Sequence, residues 1–409
     1  MPLSRADRII LNKLCRQYNI VFIDELPVQN RPAGLAAVFS SIDNIKNITY
    51  HSYRNTSNGL NAVAAVLRHA ELKTRTHRLV EAARDCVARI EETWRFDCET
   101  LVLQRLTHDA TCLRCRQRVR RSDIEDILAR AGFVHGRLSD PQEEAGWCSC
   151  SLTTQPNEVN MRIGLERTFI GRASELVNHP PSLAKQLRRK LHPDRVYGLR
   201  ETRHIADLLQ TASPENSHPV QDLLARQPHS SDGKPLLFPF LVVEAKGSKA
   251  SDDWHSICLQ TAFPIYTFLN VQQGLRAKAG QHSSRRPSAP LVWFIMSRGE
   301  DWRVYLAYQG LARRGSLAAQ STNVVRVWVG CITNLDSALQ LLLIVEYLSD
   351  WARDAYRPAV LRDLESVATP GIKPDPDLAP SNGHHVGDAP FWTLRCSPLT
   401  IPAVSIAAA

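Results

Sequence analysis

The segment Leu236–Lys246, LLFPFLVVEAK, constrains the fold more than any other stretch of this 409-residue chain. It is β-branched and aromatic with no polar alternation until its charged end, the pattern of a strand covered on both faces. Such a strand needs a sheet with helices on either side, and so an α/β architecture. The sequence around it agrees. A helix is expected from about Asp252 to Ala277, interrupted by Pro264. Further strands are expected at Pro290–Met296, Arg303–Tyr308 and Val324–Val329. An apolar helix capped by Asn334 or Asp336 should then end near Trp351–Asp354.

Three regions follow from the patterning. Residues 1–150 read as mainly helical and cysteine-containing, with helical spacing at Leu60–Leu72 and His77–Trp94 and a short strand at Val21–Ile23. Residues 151–362 form the α/β unit, opening with a helix near Asn157–Val177 and holding a polar loop at Ser213–Lys234. Residues 363–409 are rich in Pro, Asp, Gly and His, and a flexible tail is expected there. The longest strongly apolar run, Leu341–Val345, is far short of the ~18 residues a membrane span requires. The charged N-terminus lacks the apolar block of a secretory signal, so an intracellular protein with no membrane partner is expected. With 50 Lys and Arg against 41 Asp and Glu, the formal charge of +9 favours an anionic partner.

Glu244 and Lys246 are two apart at the carboxyl end of the apolar strand, so their side chains share a side, where α/β sheets usually place their sites. A divalent cation held by Glu244 and a second carboxylate fits this pair, and Mg²⁺ suits hard oxygen ligands that leave room for a substrate phosphate. On the tripeptide alone, a plain Glu–Lys ion pair at a strand end is the stronger reading. Cys112 and Cys115, with Cys148 and Cys150, form C-x2-C and C-x-C pairs that would close a structural zinc site; ordinary free thiols are the alternative. His192, His204, His218 and His255 lack metal-ligand spacing and read as solvated or packed side chains.

Several motifs in order resemble the PD-(D/E)XK nuclease superfamily, and more narrowly the fungal PD-(D/E)XK nuclease-like family. They are Asn157-Glu158, Pro193-Asp194-Arg195-Val196-Tyr197-Gly198-Leu199, Phe238-Pro239-Phe240-Leu241-Val242-Val243-Glu244-Ala245-Lys246, Gln260–Ile265 and Asp350–Asp354, covering about residues 155–360. The resemblance implies a restriction-endonuclease-like core, a mixed central sheet flanked by helices, behind the mainly helical N-terminal region. It implies metal-dependent hydrolysis of nucleic acid, with DNA as the substrate and Mg²⁺ or Mn²⁺ as cofactor; a nuclear location follows only from that substrate and the basic runs. Asp194 and Glu244 would hold the metal with the Ala245 carbonyl, and Lys246 would orient or deprotonate the attacking water. Glu158 would be the upstream helical acid, with Glu166 and Glu175 as rivals. Gln260 would lie on the helix behind the site, although the tyrosine that accompanies it in some branches is replaced by Pro264. Arg188, Arg189, Lys190 and Arg195 would contact the nucleic-acid backbone. A non-catalytic nucleic-acid-binding or scaffold protein that retains the fold is the alternative.

Overall fold

The computed structural model describes residues 3–53, 62–87, 89–107, 109–112, 118–120, 145–146, 163–173, 177–187, 191–210, 236–248, 250, 253–279, 290–311 and 320–368. Helix α1 (Arg5–Gln17) opens on a capping box, in which Ser4 and Asp7 each accept from the other's backbone N–H. Strand β1 (Ile20–Ile23) leads to α2 (Ala36–Lys46) and α3 (Ala62–Cys86). A single helical rod then runs as α4 (Glu91–Trp94), a π-helical turn at Arg95–Glu99, and α5 (Thr100–Thr107). The short strands β2 (Asp109–Cys112), β3 (Arg118–Arg120), β4 (Ala145–Gly146) and β5 (Ile163–Arg167) form a small sheet in the order β3-β2-β5-β4.

Next come β6 (Phe169–Ala173), α6 (Pro181–Ala184), β7 (Arg195–Arg200), α7 (Arg203–Gln210), β8 (Leu236–Lys246) and α8 (Trp254–Ala279). Strands β9 (Val292–Arg298), β10 (Asp301–Leu311) and β11 (Gln320–Cys331) are followed by α9 (Leu335–Trp351), a second π-helical turn and α10 (Arg357–Val367). The main sheet has seven strands in the order β1-β11-β10-β9-β8-β7-β6. Strand β8 pairs parallel with β9, β1 pairs parallel with β11, and the remaining neighbours are antiparallel.

Both faces of this sheet are covered, as the composition of β8 requires. Leu241, Val243, Trp293, Ile295 and Val304 pack against side chains of α2, α3, α5, α9 and α10. Their alternates Val242, Phe294, Met296 and Tyr305 pack against α1 and α8. Pro239 stands inside β8 because the strand bulges there: Tyr197 pairs with Leu241 but Leu199 with Leu237. Phe238 takes φ 46°, and the carbonyls that the bulge frees are met by side chains. Tyr356 Oη donates to Phe238 O at 3.0 Å, and Gln272 Nε2 donates to Pro239 O at 3.0 Å.

Four expectations are corrected. Within the helix expected near 157–177, the described residues 163–173 form two strands, β5 and β6. The Tyr197 ring comes within 2.5 Å of where a Cβ on Gly171 of β6 would stand, so any side chain there would clash, and pairing of β6 with β7 holds the segment extended. The helix α8 runs on through Pro264. The boundary at 150 is not a break in the fold, because β1 is an edge strand of the main sheet and α2, α3 and α5 cover one of its faces. The helical structure also continues beyond 362, with Leu364, Val367 and Ala368 buried. No described helix is long and apolar enough to cross a membrane.

Candidate active site

Register brings Asp194 beside Glu244. Strand β7 pairs antiparallel with β8 from Arg195 opposite Val243, so the residue before β7 falls next to the last turn of the pleat in β8. The two acids are interlocked through main chain: Asp194 N donates to Glu244 Oε2 at 3.1 Å, and Ala245 N donates to Asp194 Oδ2 at 2.8 Å. Lys246 closes the group. Its Nζ lies 2.6 Å from Glu244 Oε1, 3.0 Å from the Ala245 carbonyl and 3.7 Å from Asp194 Oδ2. One cationic nitrogen therefore sits among three hard oxygen donors. The Lys246 carbonyl accepts from Gly299 N at 2.8 Å, and Gly299 has φ +60° with Ser248 where its Cβ would be. Only glycine turns here without a clash, which keeps the end of β8 against the β9–β10 turn.

Burial and charge oppose one another at this point. Glu244 is 3% exposed. Its burial, and then the Asp194 carboxylate, push its pKa up to about 7, against the pull of Lys246. Burial also works against the Lys246 ammonium, but Glu244 and Asp194 outweigh it and hold its pKa above the ordinary value. Lys246 thus keeps its proton at neutral pH.

The helical rod that follows α3 supplies the rest of the site. Glu91, in the first turn of α4, accepts a backbone hydrogen bond from Gly247 and shares the electrostatic field of Lys246 and Asp194; burial raises its pKa. A Cβ on Gly247 would stand 3.3 Å from Glu91 N, so the rod lies close against the end of β8. In the π-helical turn, Arg95 meets Asp194, and Glu99 accepts from Arg195 Nε at 2.8 Å. No sequence signal pointed to Glu91, Arg95 or Glu99. Their approach to β8 and β7 depends on long-range packing.

Of the residues expected at the site, Asp194, Glu244, Ala245 and Lys246 come together. Gln260 lies on α8, half-buried, and takes no part in the hydrogen bonds or ion pairs just described. Arg195 faces Glu99, so its guanidinium is engaged within the protein. Glu158, Glu175, Arg188, Arg189, Lys190, Cys115, Cys148 and Cys150 lie outside the described residues, and Glu166 and Cys112 are described only as backbone in β5 and β2. Among the described residues, no group of three or more His, Cys, Asp or Glu side chains is arranged to hold a metal ion.

The fold and site together define an α/β protein with two interlocked acids and a lysine at the carboxyl end of a central strand. Neither a known protein family nor a curated protein matches this chain.

Proposed function

We propose that the protein is a metal-dependent nuclease of the PD-(D/E)XK type, hydrolysing phosphodiester bonds of nucleic acid, with DNA the expected substrate. The observation that carries this reading is the convergence of the Asp194 carboxylate, the Glu244 carboxylate and the Ala245 carbonyl on one cationic position. Two carboxylates and a carbonyl fit Mg²⁺ or Mn²⁺, which bind through one or two acids and keep water and phosphate as further ligands. When bound, such an ion supplies Lewis-acid polarisation of a phosphate oxygen.

The chain's own groups supply the remainder. Asp194 and Glu244 would hold the ion, and Glu91, which shares the field of Lys246 and Asp194, is a further acid beside the site. Lys246 would leave the three oxygens when the ion arrives. There it would orient or deprotonate the attacking water. The net charge of +9 supports an anionic polymer as substrate. A nuclear location rests on that substrate alone.

The second reading, a nucleic-acid-binding protein without turnover, is favoured by the short Lys246–Glu244 contact, which is also what a purely structural ion pair would make. Incubating the full chain with single-stranded DNA, duplex DNA and RNA, with Mg²⁺ or Mn²⁺ and with a chelator, separates the two. Divalent-dependent cleavage lost in Glu244→Gln supports the nuclease. Binding without cleavage on all three substrates supports the second reading.

A further inference from the structure

The geometry points to Arg95 as a positioning residue that fixes Asp194, with Glu99 holding Arg95 in place. Arg95 belongs to the N-terminal helical region, to which the sequence assigned no role. Its guanidinium donates to the Asp194 main-chain carbonyl at 3.2 Å and is ion-paired with Asp194 Oδ1 at 3.5 Å and Glu99 Oε2 at 3.6 Å. A fork that spans the carboxylate and the carbonyl of one residue restrains both its side chain and its backbone. A planar guanidinium can do this and a lysine ammonium, a point charge, cannot.

The main-chain ladder does not reach Asp194, and β8 restrains it from one side only. The β7–β8 ladder begins at Arg195, leaving Asp194 just outside the paired strand. Its contacts on the far side are the Ala245 N–H and Glu244, which belong to β8. Arg95 approaches from the helix and completes the clamp. Glu99 is 2% exposed and accepts from Arg195 Nε while facing Arg95, so one carboxylate secures residue 195 directly and residue 194 through Arg95. Arg95 and Glu99 are the first and last residues of the π-helical turn. Turns of this kind recur at functional sites. The recorded contacts of the Arg95 guanidinium are thus with Asp194 and Glu99.

What Asp194 does rests on the nuclease reading, but its positioning is measurable in the metal-free protein. The test uses the full chain and Arg95→Lys, with Arg95→Ala and Glu99→Gln alongside. Amide exchange at Ala245, whose N–H donates to Asp194 Oδ2, reports whether Asp194 stays in place. In Arg95→Lys that amide should exchange at least ~10-fold faster, while the melting temperature changes little. Mn²⁺ affinity by calorimetry should weaken by ~10–100-fold, as for other residues that orient a metal ligand. Ala245 exchange equal to wild type in a folded Arg95→Lys protein would overturn the assignment. If Arg95→Ala fails to fold, Arg95→Lys and Glu99→Gln still decide. Wild type that binds no Mn²⁺ would remove the metal reading instead, and the exchange rates would still settle the role of Arg95.

Discussion

Glu244 carries the strongest constraint on this chain at the scale of single residues. Its pKa of about 7, set by burial and the Asp194 charge, lies above the ordinary value of 4.5, so the folded chain holds that proton more tightly than the unfolded chain. Stability of the metal-free protein should therefore fall as pH rises from about 4.5 to about 7. Glu244→Gln lacks this titration, and urea midpoints measured at pH 5 and pH 7.5 should show a smaller decline for the variant. Asp194→Asn and Glu244→Gln should both abolish divalent-dependent cleavage with the fold retained, as circular dichroism would show. Lys246→Met separates the ion from the ammonium. If Nζ occupies the cation's position, the variant should bind Mn²⁺ more tightly than wild type and cleave nothing; weaker binding would contradict that placement. The sequence exposed Asp194, Glu244 and Lys246 through their local motifs, but it could not show that Lys246 Nζ reaches both acids.

Buried charges tie the elements together on the α3 side of the sheet. Arg75 of α3 and Arg105 of α5 both meet Glu346 of α9, at 3.1 and 3.4 Å, and all three side chains are buried. Removing the acid would strand two buried guanidiniums. Glu346→Ala should cost about 3–5 kcal/mol in urea unfolding. Tyr356→Phe should cost about 1 kcal/mol, because it leaves the Phe238 carbonyl of the β8 bulge without its hydroxyl partner. Some element boundaries were legible. Asn334 caps α9 by accepting from Ser337 N, whereas Asp336, the other candidate, accepts from Tyr50 N in the preceding part of the fold. Local spacing allowed both roles, and packing assigned them. Residues 163–173 misled because Phe169 and its neighbours also fit a helical spacing; for β6, pairing with β7 decided for strand.

Across the whole molecule, the N-terminal hundred residues are part of the same structure as the site. They supply β1 at one edge of the sheet, much of the cover on one face and the rod that carries Glu91, Arg95 and Glu99. A fragment beginning at residue 151 should therefore lack cooperative unfolding, while the chain truncated after residue 368 should unfold cooperatively in the same denaturant series. The sequence by itself determined the α/β class, because an uninterrupted apolar strand can be buried only between two layers of helix. It also determined that Glu244 and Lys246 share a side at the end of β8, since alternation along a strand is a local property. The tertiary structure decided the rest. Bringing Asp194 to Glu244 required the antiparallel register of β7 on β8, and bringing Glu91 and Arg95 to both required contacts across about a hundred residues of chain. Those contacts depend on how separate elements pack, and no periodicity or short spacing records that.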